Sequence, residues 1–292
     1  MKPKLILFLK FLALVVLYFV LFAVISATIL PRIQQSSADY EPLSALSALL
    51  LMSLLNTALL TYITVRSGWS GWKLILTLAV VFFGVATFMP QIETAVFVRT
   101  LPPGFLSRLF LAGFLFSFLY APLLVLLAGN RRQSEFTAPK VKVNVSESVI
   151  KFIIAALIYV VLYFTFGYFI AWQSPALRAY YGGGNSNGFL TQLNDTWRAT
   201  PWLFPFQFLR GLLWTLLALP IIRMLRGQRL EKAVVVGLLF AVVTSQLLLP
   251  NPLMPYEVRM RHLVETASSN FLFGCIVVWL LNSNDAETDT HP

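Results

Sequence analysis

Eight continuous apolar runs, with no alternation of apolar and polar positions, organise this 292-residue chain. They fall near 5–30, 43–65, 74–90, 105–128, 149–173, 205–225, 233–250 and 268–282. A run that is apolar on every side suits a helix surrounded by lipid or by other helices, and about 20 such residues cross the roughly 30 Å of a bilayer's hydrocarbon. A strand of a membrane barrel would alternate instead. The predicted fold class is therefore all-α, a polytopic integral membrane protein with about eight transmembrane helices. The third and seventh runs are short, and the eighth is shorter still unless the segment from Glu257 continues into it. The first run exceeds the apolar core of a secretory signal and lacks a clean cleavage site, so it reads as a retained helix. Pro122 and Pro220 fall inside the fourth and sixth runs. A proline there removes a helical N–H and is expected to kink the helix. Gly113, Gly167, Gly237 and Gly274 are expected to let helices pack closely.

Part of the sequence is written twice. Lys10-Phe11 opens an apolar run containing Tyr18, and Lys151-Phe152 opens another with Tyr159 at the same spacing. Each half later carries a Met-Pro pair, Met89-Pro90 and Met254-Pro255. A tetrad follows each, Ile92-Glu93-Thr94-Ala95 and Val264-Glu265-Thr266-Ala267. The separation between matching positions grows along the chain, as expected if the second copy has longer loops. A four-helix unit repeated after an even number of spans keeps its orientation, so two parallel four-helix repeats are expected rather than inverted ones. The expected organisation is a first repeat at 1–129, a basic cytoplasmic linker at 130–148, a second repeat at 149–282 and a polar cytoplasmic tail at 283–292. Within the second repeat, 173–206 is expected as an extracytoplasmic loop. Its Gly182-Gly183-Gly184 centre suits a flexible turn, and Tyr180, Tyr181, Trp197 and Trp202 suit the membrane interface.

At 58% hydrophobic and 12% charged residues, the chain has too few polar side chains to cover a soluble globule of its length. Its formal net charge of +10 is spread over short loops rather than gathered on one stripe, so no nucleic-acid partner is expected. The charges report topology instead. One set of connections holds Lys2, Lys4, Arg66, Lys73, Arg131, Arg132, Lys140, Lys142, Arg223, Arg226, Arg229 and Lys232, and the other holds Arg32, Arg99, Arg178, Arg198, Arg259 and Arg261. The positive-inside rule then places both termini in the cytoplasm and the protein in the cytoplasmic (inner) membrane. The single cysteine, Cys275, lies in the last run and reads as a small buried hydrophobe. No P-loop, zinc helix or nucleophile elbow occurs, and no cofactor is indicated.

Ionisable residues close to membrane depth are costly and mark candidate sites. Glu93 follows Pro90 at the outer end of the third run, and Glu265 precedes the eighth on the same side. Around Glu265 stand Arg259, Arg261, His262 and Ser269. On a helix His262, Glu265 and Ser269 share one face, and Arg261, Glu265 and Ser268 an overlapping one. The first half offers Glu93 and Arg99. The candidate substrate-binding residues are therefore Glu93, Arg99, Arg259, Arg261, His262, Glu265 and Ser269, expected to converge in one outward-facing pocket. Arginines there suit an anionic or zwitterionic headgroup or solute. Structural pairing of each Glu with a neighbouring Arg is the competing reading. A metal site is the weakest reading, because one useful His is a thin ligand set and His291 lies in the tail. The expected partners are the lipid bilayer, a small solute or lipid ligand, and other membrane proteins. The function expected is binding and moving a small solute or lipid. The alternatives are an enzyme on a lipid-linked substrate at the outer leaflet, or a non-catalytic subunit of a membrane complex. Asn56 and Gln246, inside the second and seventh runs, read as interhelical hydrogen-bond partners.

Overall fold

A computed structural model of the chain describes residues 3–31, 41–98, 101–129, 145–184, 187–251 and 253–282. Among these residues the fold is all-helical, without strands; one isolated antiparallel bridge joins Ser67 and Leu225. Among the described residues eight helices are long and apolar enough to cross a membrane, which makes this a multi-pass membrane protein. The expected linker core at 130–144, the tail at 283–292 and Arg99 lie outside the described residues.

The chain divides into two compact units. The first comprises Met1–Ala138 together with Met224–Arg226 and Val242–Tyr256, and the second comprises Pro139–Arg223, Gly227–Ala241 and Glu257–Pro292. Two stretches of the second half of the sequence thus belong to the first unit.

In the first unit, α1 (Pro3–Ile29), α2 (Ala45–Arg66), α3 (Gly71–Phe83), α4 (Met89–Phe97) and α5 (Phe105–Ala128) carry the core. Ser44 starts α2 by accepting a hydrogen bond from the Ser47 amide at 3.2 Å, which satisfies one of the unpaired donors at a helix start. Pro102-Pro103-Gly104 separates α4 from α5, with Gly104 at φ 70°. That left-handed backbone suits glycine, and the prolines cannot extend the preceding helix. The third span is longer than its apolar run, reaching from Gly71 to Phe97. Pro90 lacks the N–H that would continue an α-helical ladder, and the chain passes this point through a π-helical turn at Gly84–Phe88. Glu93 therefore lies inside the third span instead of following it. Pro122 and Pro220 do not break their helices, because α5 and α9 (Leu203–Met224) run through them.

The centre of this unit is aromatic. Tyr18 of α1 meets Phe82 of α3 at 6.4 Å and Phe116 of α5 at 4.7 Å between ring centroids, both edge-on. Tyr120 of α5 shares a 2.9 Å hydrogen bond with Thr57 of α2 and donates to the Leu14 carbonyl of α1 at 3.4 Å, which ties three helices at one point. Gly113 of α5 is required where it stands, since a Cβ there would collide with the Thr87 side chain. After α10 (Arg229–Val242) the chain tightens into a 3₁₀ turn at Val243–Leu248 that belongs to the first unit, where Ser245 accepts from Asn56 Nδ2 at 3.1 Å.

The second unit holds α6 (Val145–Phe166), which closes in a π-helical turn at Gly167–Ala171, then two short helices, α7 (Pro175–Tyr180) and α8 (Phe189–Ala199). The loop expected at 173–206 thus contains two helices. Ser174 caps α7 and Pro175 occupies its first turn, a strong start signal. Gly183 packs on Trp172, and Tyr168 donates to the Asn187 carbonyl. Further along, α9, α10 and α11 (Tyr256–Leu281) pack through small residues. A Cβ on Gly211 would fall 2.8 Å from Ala156 Cα, and one on Gly274 would fall 2.8 Å from Gly237 Cα. Backbones meet almost directly at these crossings. Gly167 does not have that role, because nothing lies within 4 Å of its would-be Cβ. Above the small residues, Phe273 of α11 meets Tyr159 of α6 at 5.0 Å and Phe240 of α10 at 6.4 Å.

Candidate functional site

The eighth span begins at Tyr256, because nothing between there and Phe271 breaks a helix. Glu265 consequently lies within α11 and not ahead of it. The predicted face is realised: His262, Glu265 and Ser269 turn inward, with Glu265 and Ser269 each only 7% exposed. Arg259, one turn earlier, is wholly buried. Arg261 falls on the other side and is exposed, so the predicted Arg261–Glu265–Ser268 face is not assembled as a cluster. Two residues along a helix turn a side chain through roughly 200°, which separates Arg259 from Arg261.

The Glu265 carboxylate makes its contacts with His262 and Thr266. Oε2 lies 3.4 Å from His262 Nδ1 and accepts from Thr266 Oγ1 at 3.0 Å. The other imidazole nitrogen, Nε2, lies 3.0 Å from the hydroxyl of Tyr181, which follows α7. The result is a phenol–imidazole–carboxylate chain. With neutral imidazole, Nδ1–H donates to Glu265 and Nε2 accepts from Tyr181; with imidazolium, both nitrogens donate. A proton can be held at His262 in either state without loss of a partner. Among the described residues, the partners recorded for the Glu265 carboxylate are His262 and Thr266 rather than an arginine.

Sequence reasoning passed over Arg210. It lies mid-way along α9, 4% exposed, donates from Nη1 to Gln207 Oε1 at 2.8 Å, and its guanidinium carbon stands 5.7 Å from the centre of the Tyr159 ring. The signal was available, since Gln207 and Arg210 interrupt an otherwise apolar run. Among the described residues the buried charged side chains are Arg210, Arg259 and Glu265, and all belong to the second unit. No protein-family model, curated protein or solved structure matches this chain at a significant level. The functional reading therefore rests on the residues themselves. Among the described residues no three His, Cys, Asp or Glu gather in a group that could hold a metal.

Of the remaining candidates, Glu93 sits half-buried on α4 in the first unit. The two tetrads fall on the third span of the first unit and the last span of the second. Asn56 and Gln246 both line a cavity of about 100 Å³ in the first unit.

Outside the spans, partial burial raises the Tyr180 phenol above its ordinary pKa of 10.0.

Proposed function

We propose that this multi-pass protein binds and moves a small anionic or zwitterionic solute or lipid headgroup, using the second unit. The observation that carries the reading is the set of buried charged side chains there, Arg210, Arg259 and Glu265 among the described residues. Burying charge in a spanning helix is costly and is retained where a ligand or proton uses it. Arginine binds phosphate and carboxylate in a bidentate fork, so a ligand carrying either group suits this set. Arg259, His262, Glu265 and Ser269 are proposed as ligand-binding residues together with Arg210. Arg261, exposed, is proposed to attract ligand at the surface. Glu93 and Arg99 are proposed to serve binding in the first unit. The Tyr181–His262–Glu265 chain would exchange a proton as the ligand enters or leaves. The outer face is proposed as the entry side, with both termini cytoplasmic in the inner membrane, on the loop-charge bias alone.

Two parallel four-helix repeats are also proposed, α1, α2, α3–α4, α5 and α6, α9, α10, α11. Support comes from the aromatic trios, Tyr18, Phe82 and Phe116 in one unit and Tyr159, Phe240 and Phe273 in the other. Each trio is drawn from the first, third and fourth spans of its set. On this alignment the trios replace the Glu tetrads as the strongest mark of duplication.

A second reading is favoured by the order of the chain itself. A carboxylate that orients an imidazole is the arrangement of a general base, which would suit an enzyme on a lipid-linked substrate. The test uses purified full-length protein in nanodiscs, with glycerol 3-phosphate, phosphocholine and dioctanoyl phosphatidylglycerol as probes. At least one probe is expected to raise the unfolding temperature, and Glu265→Gln or Arg210→Gln to abolish that rise while leaving a folded protein. Equal stabilisation of wild type and both variants would overturn the proposal. Cleavage of the lipid probe, lost in His262→Asn, would establish the enzyme instead.

A further inference from the structure

The charges of the second unit contrast with the cavity of the first. That cavity, about 100 Å³, is walled by α1, α2, α5, the π-helical turn, α4 and the 3₁₀ turn, and carries no Lys, Arg, His, Asp or Glu in its lining. Two of its polar atoms are buried without a hydrogen-bond partner: Gln91 Oε1 and Ser117 Oγ. Ser117 is 2% exposed. Asn56 commits its amide nitrogen to the Met52 carbonyl at 2.9 Å and to Ser245, which leaves its carbonyl oxygen for an occupant. Orphaned buried polar atoms are costly and call for a ligand or ordered water. The π-helical turn supplies Thr87, and such turns recur at functional sites.

We propose that this cavity is a binding site for a small uncharged molecule rich in hydrogen-bond donors, of the class of short polyols and primary amides. Two carbonyl oxygens, of Gln91 and Asn56, demand donors, and the Ser117 hydroxyl serves either role. Most of the wall is hydrocarbon, including Phe22, Leu109 and Phe116, so the occupant presents a carbon edge as well. An ion entering would lose its hydration to this surface and meet no counter-charge, which excludes charged ligands on energetic grounds. The volume exceeds that of one water and matches a molecule of a few heavy atoms. This site is independent of the charged cluster on α11.

The test places a reporter in the wall. Ser117→Cys in a Cys275→Ala background, full-length and in nanodiscs, is reacted with methyl methanethiosulfonate, a small neutral thiol reagent. Glycerol or acetamide at molar concentration is expected to slow the reaction several-fold, sucrose and sodium chloride to leave it unchanged, and Gln91→Leu to remove the protection. Thr87→Cys serves as a second reporter if Ser117→Cys does not fold. Protection by sodium chloride alone would overturn the proposal in favour of a cation site. Equal slowing by sucrose, or no reaction at either reporter without solute, would overturn it as well.

Discussion

Replacing Gly274 by alanine tests a crossing at which two helix backbones meet almost directly. A Cβ at this position would stand 2.8 Å from both Cα and N of Gly237, and 2.9 Å from the Val236 carbonyl carbon. Carbon atoms in contact prefer about 3.5–4.0 Å, so one methyl group forces α10 and α11 apart by something near 1 Å at the crossing. The obstacle is backbone, which cannot swing aside as a side chain would. Overpacking of this kind costs about 1–3 kcal/mol. Alanine's better helix propensity returns up to about 1 kcal/mol, and with all of it returned the net loss is up to about 2 kcal/mol. Valine adds two further methyl groups and is expected to prevent folding. The assay is thermal unfolding of purified protein in detergent followed by tryptophan fluorescence. Trp214, 4.5 Å from Phe240 of α10, reports locally on the displaced helix. A drop of several degrees is expected for Gly274→Ala, and Gly237→Ala with Gly274→Ala should cost less than the two single losses together, since the first methyl has already separated the helices. Gly167→Ala is the control, because its Cβ meets nothing within 4 Å, and it should melt at or above the wild-type temperature. Gly274→Ala melting at or above the wild-type temperature would refute the account of this crossing.

Tyr120→Phe removes the hydroxyl shared with Thr57 and is expected to cost about 1 kcal/mol in denaturant titration, with Thr57→Val adding little once the partner is gone. Glu265→Gln keeps the shape and a hydrogen bond to Thr266, so it should fold and elute as wild type on size exclusion; loss of the monodisperse peak would show that the charge is structural. Tyr181→Phe removes one partner of His262, and NMR of the imidazole should show a changed Nε2 environment with the Glu265 contact retained. Tyr180, raised above 10.0 by burial, stays protonated in the folded protein at a pH where the unfolded chain has lost that proton. Its stabilising contribution is therefore complete below pH 10 and lost as pH rises further. Tyr180→Phe should flatten the alkaline limb of a stability profile, and an unchanged limb would count against burial as the cause.

Continuous apolar runs were enough to read eight spans, because lipid imposes the same demand along the whole length of a helix. The His262, Glu265 and Ser269 face was legible for the same geometric reason, since helical spacing alone sets it. What escaped was what depends on neighbours. Run-counting ended the third span at Pro90, whereas a π-helical turn carries the helix to Phe97. The region after Gln173 read as a turn because its glycines dominate composition, yet Ser174 and Pro175 start a helix, and α8 follows with Phe189, Leu190 and Trp197 along it. Arg210 was hidden by averaging, as one charge scarcely lowers the hydropathy of its run. The cavity could not be read at all, because its polar atoms are scattered from Ser26 to Gln246 and only the packed fold brings them together.

One consequence of the way the chain divides concerns its manufacture. Val242–Tyr256 completes the first unit, and Gln246 closes part of the cavity wall. A ribosome delivers α1 to α5 long before that segment exists. The nascent first unit therefore waits in the bilayer with its polar wall open, and Asn56 without Ser245, until Val242–Tyr256 has been translated. Its maturation is tied to a segment made more than a hundred residues after α5, and a cell that stalls translation before that segment is left with an unfinished unit for its quality-control machinery to find.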